Sequence, residues 1–360
     1  MLKTFDEVFD DYTKYGTKIK TEQYHTIGSN VIIDQGQSDI AGYTDQTDGL
    51  FTDVPVIIFG DHTRIIKYIN RLFFLGADGT KILKSKIPDA NYKYLYYALK
   101  NAKIPNTGYN RHFKWLKQIS ISYPEHQKQS MIVEILDKLE DSIDNYNTML
   151  RLLDKLVKAR FIEMFGDAVD NPMEWKKRKL QEIVTDDCTI SYGIVQTGND
   201  QEDGVPVFRP VDIVNKIPKL TELKKTTEEI SNKYKRTILK GRELLITVRA
   251  NIADTCIIDE EFKGCNVGRG IVPIRIQEDI MVLEFLKYLL DSKHLNDDIK
   301  SKAKGITLIQ LNMEDLREVE LICPPLEKQI DFVEFAKQVD KSRFDIKKSI
   351  LELEREVVYD

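Results

Sequence analysis

The 360-residue sequence contains only four cysteines, and they are scattered. Cys188, Cys256, Cys265 and Cys323 form no Cys-x-x-Cys pair. This pattern predicts buried free thiols in a reducing cytoplasm rather than a structural zinc site. The five histidines, at positions 25, 62, 112, 126 and 294, also show no metal-ligand spacing. The sequence therefore predicts no bound metal.

Long apolar runs are absent as well. The longest apolar stretches, such as residues 54–60, have the length of a strand and are far too short to span a membrane. Residues 1–16 contain no apolar core flanked by basic residues, which a secretory signal would require. We therefore expect a cytoplasmic protein that makes no membrane contact.

Motifs for catalysis or cofactor binding are missing too. Neither the glycine-rich loop of dinucleotide-binding proteins nor the phosphate-binding P-loop is present. Asn171-Pro172-Met173 lacks the second proline and the aromatic residue of the amino-methyltransferase motif, so a turn is predicted there. Glu261 and Lys263 after Asp254 imitate part of a metal-dependent nuclease, but their spacing is too short. The sequence predicts a protein that is not an enzyme and holds no cofactor, and it disfavours a fused methyltransferase or nuclease.

A net positive charge, usual for a protein that binds nucleic acid alone, is also lacking. The formal net charge is −5. The basic residues are nevertheless clustered, with nine Lys and Arg within residues 214–242, a run at 176–179, and Arg111, Lys114 and Lys117. Any single run is explained by a solvated surface. Clusters in both halves of an acidic chain favour local patches that bind phosphate groups.

What the sequence does contain is a repeat with a separation of 200 residues. Residues 116–134 align without a gap with residues 316–334, and both read as a strand followed by a proline-marked helix start. Apolar residues then recur every three or four positions in both copies, and only Arg343 interrupts them. This seam consists of Ile132, Leu136, Leu139, Ile143, Tyr146, Leu150, Leu153 and Val157 in the first copy, and of Phe332, Ala336, Val339, Arg343, Ile346, Ile350, Leu353 and Val357 in the second.

The seam predicts two long helices that pack along their length on other helices. Residues 125–165 would form one helix of about 60 Å, ended by Gly166 and Pro172, and residues 326–357 a second of about 48 Å. Repeat and helices together divide the chain into residues 1–122, 123–171, 172–323 and 324–360. Insertions collect in the globular segments while helix length is kept, as expected if the helices set a distance.

The two globular segments correspond more loosely. Residues 56–79 can be aligned with residues 244–268 at an offset of 188, which pairs Phe74 with Phe262 and Gly76 with Gly264. Each segment then reads as a strand, a polar turn, a second strand and a loop containing glycine. A helix follows in each, at residues 92–101 and 282–293.

Polar loops with basic and aromatic residues occur in both halves, at residues 60–64, 106–115 and 303–312. Their Arg, Asn, Gln, Thr and His side chains are of the kind that contact base edges in the major groove. One such loop is an ordinary loop more often than not, but the paired occurrence favours DNA binding. The candidate DNA-binding residues are Asp61, His62, Thr63, Arg64, Lys81, Tyr109, Arg111, His112, Gln196, Thr197, Arg209, Arg249, Asn251, Arg269, Thr307 and Gln310.

Over nearly its whole length the chain resembles the specificity subunits of type I restriction–modification systems. The resemblance rests on residues 57–69 with 73–83, residues 106–121, residues 190–213, residues 241–258 and residues 324–342. It implies an α+β fold with a pseudo-two-fold repeat, in which two similar α/β target-recognition domains are joined by two long antiparallel coiled-coil helices. Each domain would read one half of a bipartite site in double-stranded DNA, and the helices would set the spacer.

The resemblance also implies partners. Such a subunit has no catalytic activity and binds two modification (methyltransferase) subunits, which use S-adenosylmethionine, and two restriction (translocase and nuclease) subunits can join. The alternative left open by the residues is a coiled-coil scaffold that organises proteins without touching DNA. Filter binding to random duplex at low salt distinguishes the two functions.

Overall fold

The computed structural model describes residues 1–76, 78–108, 110–213, 218–305 and 309–358. The chain divides into two units: unit 1 is Met1–Asn147 with Lys348–Asp360, and unit 2 is Thr148–Lys347. Both divisions fall inside long helices, whereas the boundaries predicted from the repeat lie just outside these helices. The four-segment division by sequence stays a prediction, because it follows the repeat rather than compactness.

Unit 1 begins with the strands and short helices of the first globular segment. Its strands are β1 Leu2–Thr4, β2 Phe9–Asp11, β3 Asn30–Ile33, β4 Gly42–Thr44, β5 Val56–Gly60, β6 Ile66–Ile69, β7 Phe73–Leu75, β8 Thr80–Ser85 and β9 Ser120–Ser122, and its short helices are α1 Phe5–Val8, α2 Tyr92–Lys100 and α3 Phe113–Leu116. Helix α4, His126–Phe165, then contributes residues to both units.

Unit 2 repeats this order of elements. Its strands are β10 Lys177–Lys179, β11 Val205–Phe208, β12 Lys224–Thr226, β13 Glu243–Thr247, β14 Thr255–Ile258, β15 Asn266–Val267, β16 Ile271–Ile274 and β17 Glu320–Ile322, and its helices are α5 Glu228–Lys233, α6 Leu283–Leu290, α7 Lys293–Ser301 and α8 Met313–Arg317. Helix α9, Leu326–Val358, follows and also contributes to both units.

The sheets of the two units have matching topology. The order β4-β3-β7 in unit 1 corresponds to β12-β11-β15 in unit 2, and in each the last pair is parallel. The antiparallel order β6-β5-β8 corresponds to β14-β13-β16, and β2 extends the first of these sheets. The antiparallel pairs β1–β9 and β10–β17 also correspond. The internal repeat read from the sequence is therefore present in the strand pairing.

The central strands β5 and β13 are buried on both faces. In β5, Ile57 and Phe59 pack in one apolar cluster with α2, while Val56 and Ile58 pack in a second cluster. Since neighbouring side chains of a strand point to opposite faces, a continuous apolar run is needed here rather than an alternating one. The run in β13 is divided between two clusters in the same way.

The two long helices confirm the helices predicted from the seam. Every seam residue with a described side chain is buried or half-buried. Helix α4 ends at Gly166, which has φ +73° and donates its N–H to the Ile162 carbonyl at 2.8 Å. At the helix starts, Gln129 and Gln329 each donate a side-chain N–H at 2.8 Å to the carbonyls of Pro124 and Pro324. This shared hydrogen bond explains why the repeat keeps both residues.

Arg343 does not break the seam as the sequence suggested. Its side chain is 22% exposed, donates to Asp340 at 2.6 Å and also pairs with Asp154 of α4. Farther along the helices, the ring of Phe161 lies 5.4 Å from that of Phe332. The contacts thus run in reversed chain order, so α4 and α9 are antiparallel within unit 2.

The alignment of the globular segments at one fixed offset is wrong in detail. Gly76 donates its N–H to Ile33, the last residue of β3, and the residue with the same bond to β11 is Gly268, not Gly264. Phe74 lies in β7, whereas Phe262 ends a turn of 3-10 helix. The turns between the paired strands differ in length, so no single offset holds across them.

The four thiols are free, as predicted. Cys188, Cys256 and Cys265 are buried, and Cys323 is half-buried. Burial raises the pKa of the Cys256 thiol to about 12 and that of the Cys265 thiol to about 11. Among the helices of the described residues, none is long and apolar enough to cross a membrane.

Candidate nucleic-acid interface

Each unit contains a junction at which the end of its central strand meets two loops. In unit 1, Asp61 N donates to the Gly79 carbonyl at 2.7 Å, and His112 N donates to the Asp61 carbonyl at 2.7 Å. In unit 2, Val248 N donates to the Gly270 carbonyl at 2.8 Å, and Leu311 N donates to the Val248 carbonyl at 2.9 Å. We call these junction 1 and junction 2. They bring together loops that the sequence proposed only separately.

Two of the candidate DNA-binding residues in junction 1 are internal. Asp61 is 3% exposed and His112 is fully buried. The Asp61 carboxylate accepts the Phe113 N–H at 2.7 Å, and His112 Nδ1 lies 3.0 Å from the Asp61 carbonyl oxygen. Neither side chain can reach a base, which corrects the prediction for these two residues: they position the loop instead.

Gln35 is a junction residue that the sequence did not reveal. Its Nε2 donates to the Asp78 carbonyl at 2.7 Å, its Oε1 accepts the His62 N–H at 3.1 Å, and its own carbonyl accepts from Thr63 Oγ1 at 2.7 Å. Gly79, at φ +87°, packs so closely that a Cβ would lie 2.7 Å from the His62 ring. Nothing in the local pattern marks Gln35, because its partners lie far away in the sequence.

The remaining candidates of junction 1 face solvent to different degrees. The Arg111 side chain is 80% exposed and lies 4.0 Å from the Asp61 carboxylate, and Thr63 is exposed. Arg64, at φ +62°, donates to the Ile104 carbonyl at 3.2 Å, and Lys81 pairs with Asp11 at 3.0 Å. His62 is half-buried beside them. Tyr109 lies outside the described residues.

Junction 2 presents two arginines. Arg249 is half-buried, and its Nη2 donates to Gln310 Oε1. Burial lowers the pKa of Arg249, and the positive charge of Arg269 lowers that pKa further. Arg269 is exposed and lies 6.0 Å from the centre of the Tyr192 ring. A Cβ built on Gly270, the residue after Arg269, would lie 3.4 Å from the Arg249 Cβ, so the two like charges belong to one solvent-facing site, an arrangement that suits an anionic ligand.

The other unit 2 candidates surround this pair. Ile194 N donates to Val267 at 2.8 Å and Gly268 N to Phe208 at 2.8 Å, so the chain segments carrying Gln196 and Arg209 reach the same loop. Arg209 is held by Asp212 through two hydrogen bonds, of 3.0 and 2.9 Å. Gln196 and Asn251 are exposed, and Thr197 is half-buried. Thr307 lies outside the described residues.

Exposed aliphatic side chains accompany the polar ones in unit 2. Val195 is 41% exposed, Val211 is 70% exposed and Ile309 is 55% exposed. They adjoin Gln196, Arg209 and Gln310 respectively through their positions two residues or fewer away in the chain. Apolar side chains in a nucleic-acid interface contact the thymine methyl group. The surface therefore offers both hydrogen-bond donors and apolar contacts.

Three of the nine cations in the basic run at residues 214–242 pair with carboxylates of the protein. Lys233 pairs with Glu229 at 2.8 Å, Arg242 pairs with Glu284 at 2.6 Å, and Lys240 pairs with Asp187. Lys225 donates to the Glu202 carbonyl at 2.6 Å. Sequence clustering alone therefore overstates the free positive charge of this segment, of which Lys216 lies outside the described residues.

One group of side chains in the described residues has the spacing of a metal site. Ligand atoms of Asp167, Asp170 and His294 lie within 4.8 Å of one another. The Asp167 carboxylate already accepts the N–H groups of Val169 and Asp170, and it lies 2.5 Å from His294 Nδ1. A capped turn with a His–Asp pair accounts for this arrangement.

Comparisons with known proteins agree with the repeated architecture. The family described as type I restriction modification DNA specificity domain matches residues 3–153 and again residues 172–355. The chain is 24% identical over 258 residues to the specificity subunit of the type I restriction enzyme EcoBI of Escherichia coli, an alignment that covers 65% of this chain but only 54% of that protein. It is 22% identical over 351 residues to the EcoR124I/EcoR124II specificity subunit of Escherichia coli, covering 92% of this chain and 84% of that protein.

Solved structures show the same fold. The S subunit of a type I restriction–modification system from M. genitalium aligns with a TM-score of 0.58 at 17% identity, covering 99% of this chain and 93% of that one. A chain from a study of complex assembly and conformational transition of the type I system aligns with a TM-score of 0.58 at 16% identity, covering 99% and 95%. Since the family profile matches both halves and most of the sequence, the chain belongs to the type I restriction modification DNA specificity domain family.

Proposed function

We propose that this protein is the specificity subunit of a type I restriction–modification system, in which each unit reads one half of a bipartite site in double-stranded DNA. The repeated junction is the observation that supports this most directly. Equivalent backbone hydrogen bonds build it in both units, yet most of the solvent-facing side chains differ. A conserved frame with different contact residues suits two sites that read different base sequences.

The long helices would hold the two reading units at a fixed separation. Their antiparallel contact within unit 2, and the low exposure of the seam side chains that the structure describes, support the expected pair of antiparallel coiled-coil helices. On this proposal the helix length sets the unread spacer between the half-sites.

The outer helix faces would bind the two modification subunits. Helix α4 exposes Met131, Ile135, Met149, Leu152 and Leu156, which lie on one face at 100° per residue. Helix α9 exposes Ile330, Phe344 and Leu351, spaced by multiples of seven. Exposed apolar stripes of this kind suit a protein partner. S-adenosylmethionine would bind to those partners, this chain would supply no catalysis, and restriction subunits would join the same complex.

Methylome sequencing tests the proposal. The full chain is expressed with its modification subunit, and the methylated motif is determined. We expect a bipartite asymmetric motif with an unread spacer. Exchange of residues 1–122 for the equivalent segment of a relative should change one half of the motif only. A change in both halves would contradict independent reading.

Binding measurements distinguish this function from that of a scaffold. The purified complex should retain duplex DNA on filters at low salt, with an affinity that falls as salt rises. A complex that assembles normally but retains no duplex would support the scaffold instead.

A further inference from the structure

Arg249 and Arg269 differ from two other arginines of unit 2. Arg209 and Arg242 are both paired with carboxylates, at 2.9 and 2.6 Å. Within the described ranges, Arg249 and Arg269 form no ion pair with a carboxylate, although each lies within reach of solvent. A charge that the fold leaves unneutralised at a loop junction is available for a ligand.

Arg249 is held in one orientation. It lies two residues after the end of β13 and forms an isolated antiparallel β-bridge with Gln310. The backbone of Gln310 is fixed in turn, because its N–H donates to the Lys304 carbonyl at 3.0 Å and its carbonyl accepts from Lys304 at 2.9 Å. Gly270 packs against the same place, since a Cβ there would lie 3.4 Å from the Arg249 Cβ and 2.4 Å from Pro210.

The hydrogen bond to Gln310 occupies only part of the guanidinium. An arginine has five N–H donors in a planar fork, and the Nη2 of Arg249 uses one of them on Gln310 Oε1. The other donors remain for a second planar acceptor. Guanine presents such an acceptor in the major groove through O6 and N7, and two parallel hydrogen bonds to arginine are the commonest specific contact.

Arg269 has the opposite character. It is exposed, and its described contact is the face of the Tyr192 ring at 6.0 Å. A long side chain without a fixed hydrogen-bond partner follows a phosphate group more readily than it selects a base. Its position beside Arg249 would place a backbone contact next to a base contact.

We propose that Arg249 reads a guanine in the half-site of unit 2, that Gln310 is the positioning residue for Arg249, and that Arg269 binds a backbone phosphate. This assignment rests on the proposed function and adds the chemistry of the contact. Ile309 precedes Gln310 in the chain, and the segments that carry Val195 and Val211 bond to the loop before Arg269, so these exposed aliphatic side chains would add apolar contacts around the assigned polar ones.

The first test determines the methylated motif of the Arg249→Ala and Arg249→Lys variants of the full chain in complex with the modification subunits. Both should lose selectivity for one guanine in the unit 2 half-site, by roughly 5- to 150-fold, which corresponds to about 1–3 kcal/mol. The lysine variant keeps the charge but loses the fork, so its binding to random duplex should stay near that of the wild type. Arg242→Ala, which removes an arginine at the other end of the same strand, is the matched control and should leave the motif unchanged.

The second test concerns Gln310. Gln310→Leu removes the acceptor and should relax the same guanine position as Arg249→Ala. Gln310→Glu keeps an acceptor at Oε1 and should retain selectivity there. If Gln310→Leu lowered methylation of all sites equally and left the motif intact, a merely structural role would be shown and the assignment overturned.

Salt dependence tests Arg269. Arg269→Ala should weaken binding to every duplex alike and lower the slope of log affinity against log salt by about 0.9, with no change in motif. Loss of a base preference in this variant would overturn its assignment. A uniform loss of affinity in Arg249→Ala, with no change in motif, would place a phosphate at Arg249 and overturn the assignment of that residue.

The methylated motif of the wild type distinguishes a failure of the Arg249 assignment from a failure of the proposed function. A bipartite motif whose unit 2 half-site contains no G·C pair would overturn the role of Arg249 and leave the proposed function standing. Absence of any bipartite motif from the active wild-type complex would overturn the proposed function itself.

Discussion

Junctions 1 and 2 share a backbone arrangement but differ in electrostatics. In junction 1 three cations lie beside carboxylates: Lys18 is 2.5 Å from Asp78, Lys81 is 3.0 Å from Asp11 and Arg111 is 4.0 Å from Asp61. In junction 2, by contrast, Arg249 packs against Gly270, the residue that follows Arg269 in the chain. Since backbone hydrogen bonds define the geometry, the side chains are free to vary. The comparison explains how one fold can present two different surfaces.

The ion pairs that attach each globular segment to its long helix also occupy equivalent positions with different side chains. In unit 1, Lys93 of α2 pairs with Asp137 of α4 at 2.5 Å. In unit 2, Glu284 of α6 pairs with Lys337 of α9 at 3.4 Å. Asp137 and Lys337 are equivalent in the 200-residue repeat, so the ion pair is kept while its polarity is reversed. The tyrosines are kept as well, because Tyr97 contacts Glu140 at 3.0 Å and Tyr288 contacts Asp340 at 3.5 Å.

The largest expected effect comes from changing the helix between the units. Insertion of four residues near Asn147 would add about 6 Å of helix and a little over one turn. It would also place a stutter in the seam. If the helices set the spacer, the methylated motif should keep both half-sites and gain one or two base pairs between them, at about 3.4 Å each. An active mutant with an unchanged spacer would refute this role.

Next in size is the removal of a buried group from junction 1. Asp61→Ala would leave the Phe113 N–H without its acceptor in the protein interior. We expect a loss of about 1–3 kcal/mol in the free energy of unfolding. Urea denaturation of the full chain measures it. Arg111→Ala, on the same loop but 80% exposed, is the control and should unfold like the wild type.

A double-mutant cycle tests the reversed polarity. Lys93→Glu alone and Asp137→Lys alone should each destabilise the chain by up to about 1 kcal/mol, because each places like charges together at a partly exposed site. The double variant reproduces the polarity of unit 2 and should recover most of the pair interaction, although it also loses the bond from Tyr97 to Asp137. Additive losses in urea denaturation would show that the pair contributes no coupling.

The smallest effect is expected at Arg111. Its alanine variant should weaken binding to all duplexes alike and flatten the salt dependence if it contacts a phosphate. Relaxation of one base position in the first half-site would instead identify a base contact. Affinity and salt dependence equal to those of the wild type would remove this loop from the interface.

The sequence by itself determined the parts of the fold that depend on local periodicity. The seam predicted α4 and α9 almost to the residue, since a helix repeats its contacts every three or four positions. The apolar run at residues 56–60 predicted a strand, and the two-fold repeat predicted two similar units. Such a pattern can be read from the sequence because the residues that share one face of a helix or strand are close together in the chain.

Tertiary structure decided which polar residues are available and which are not. In the sequence, Asp61 and His112 could not be distinguished from Thr63 and Arg111 as candidate contacts. In the structure, His112 bonds to the Asp61 carbonyl, 51 positions away, and both side chains are buried. The break foreseen at Arg343 disappears because Asp154, 189 positions away, neutralises it. Gln35, which the sequence did not mark, is a junction residue through partners on distant loops, and Gln310, which the sequence proposed as a DNA contact, is bonded to Arg249, 61 positions away. Burial and pairing depend on groups that meet after folding, so no local pattern could assign them.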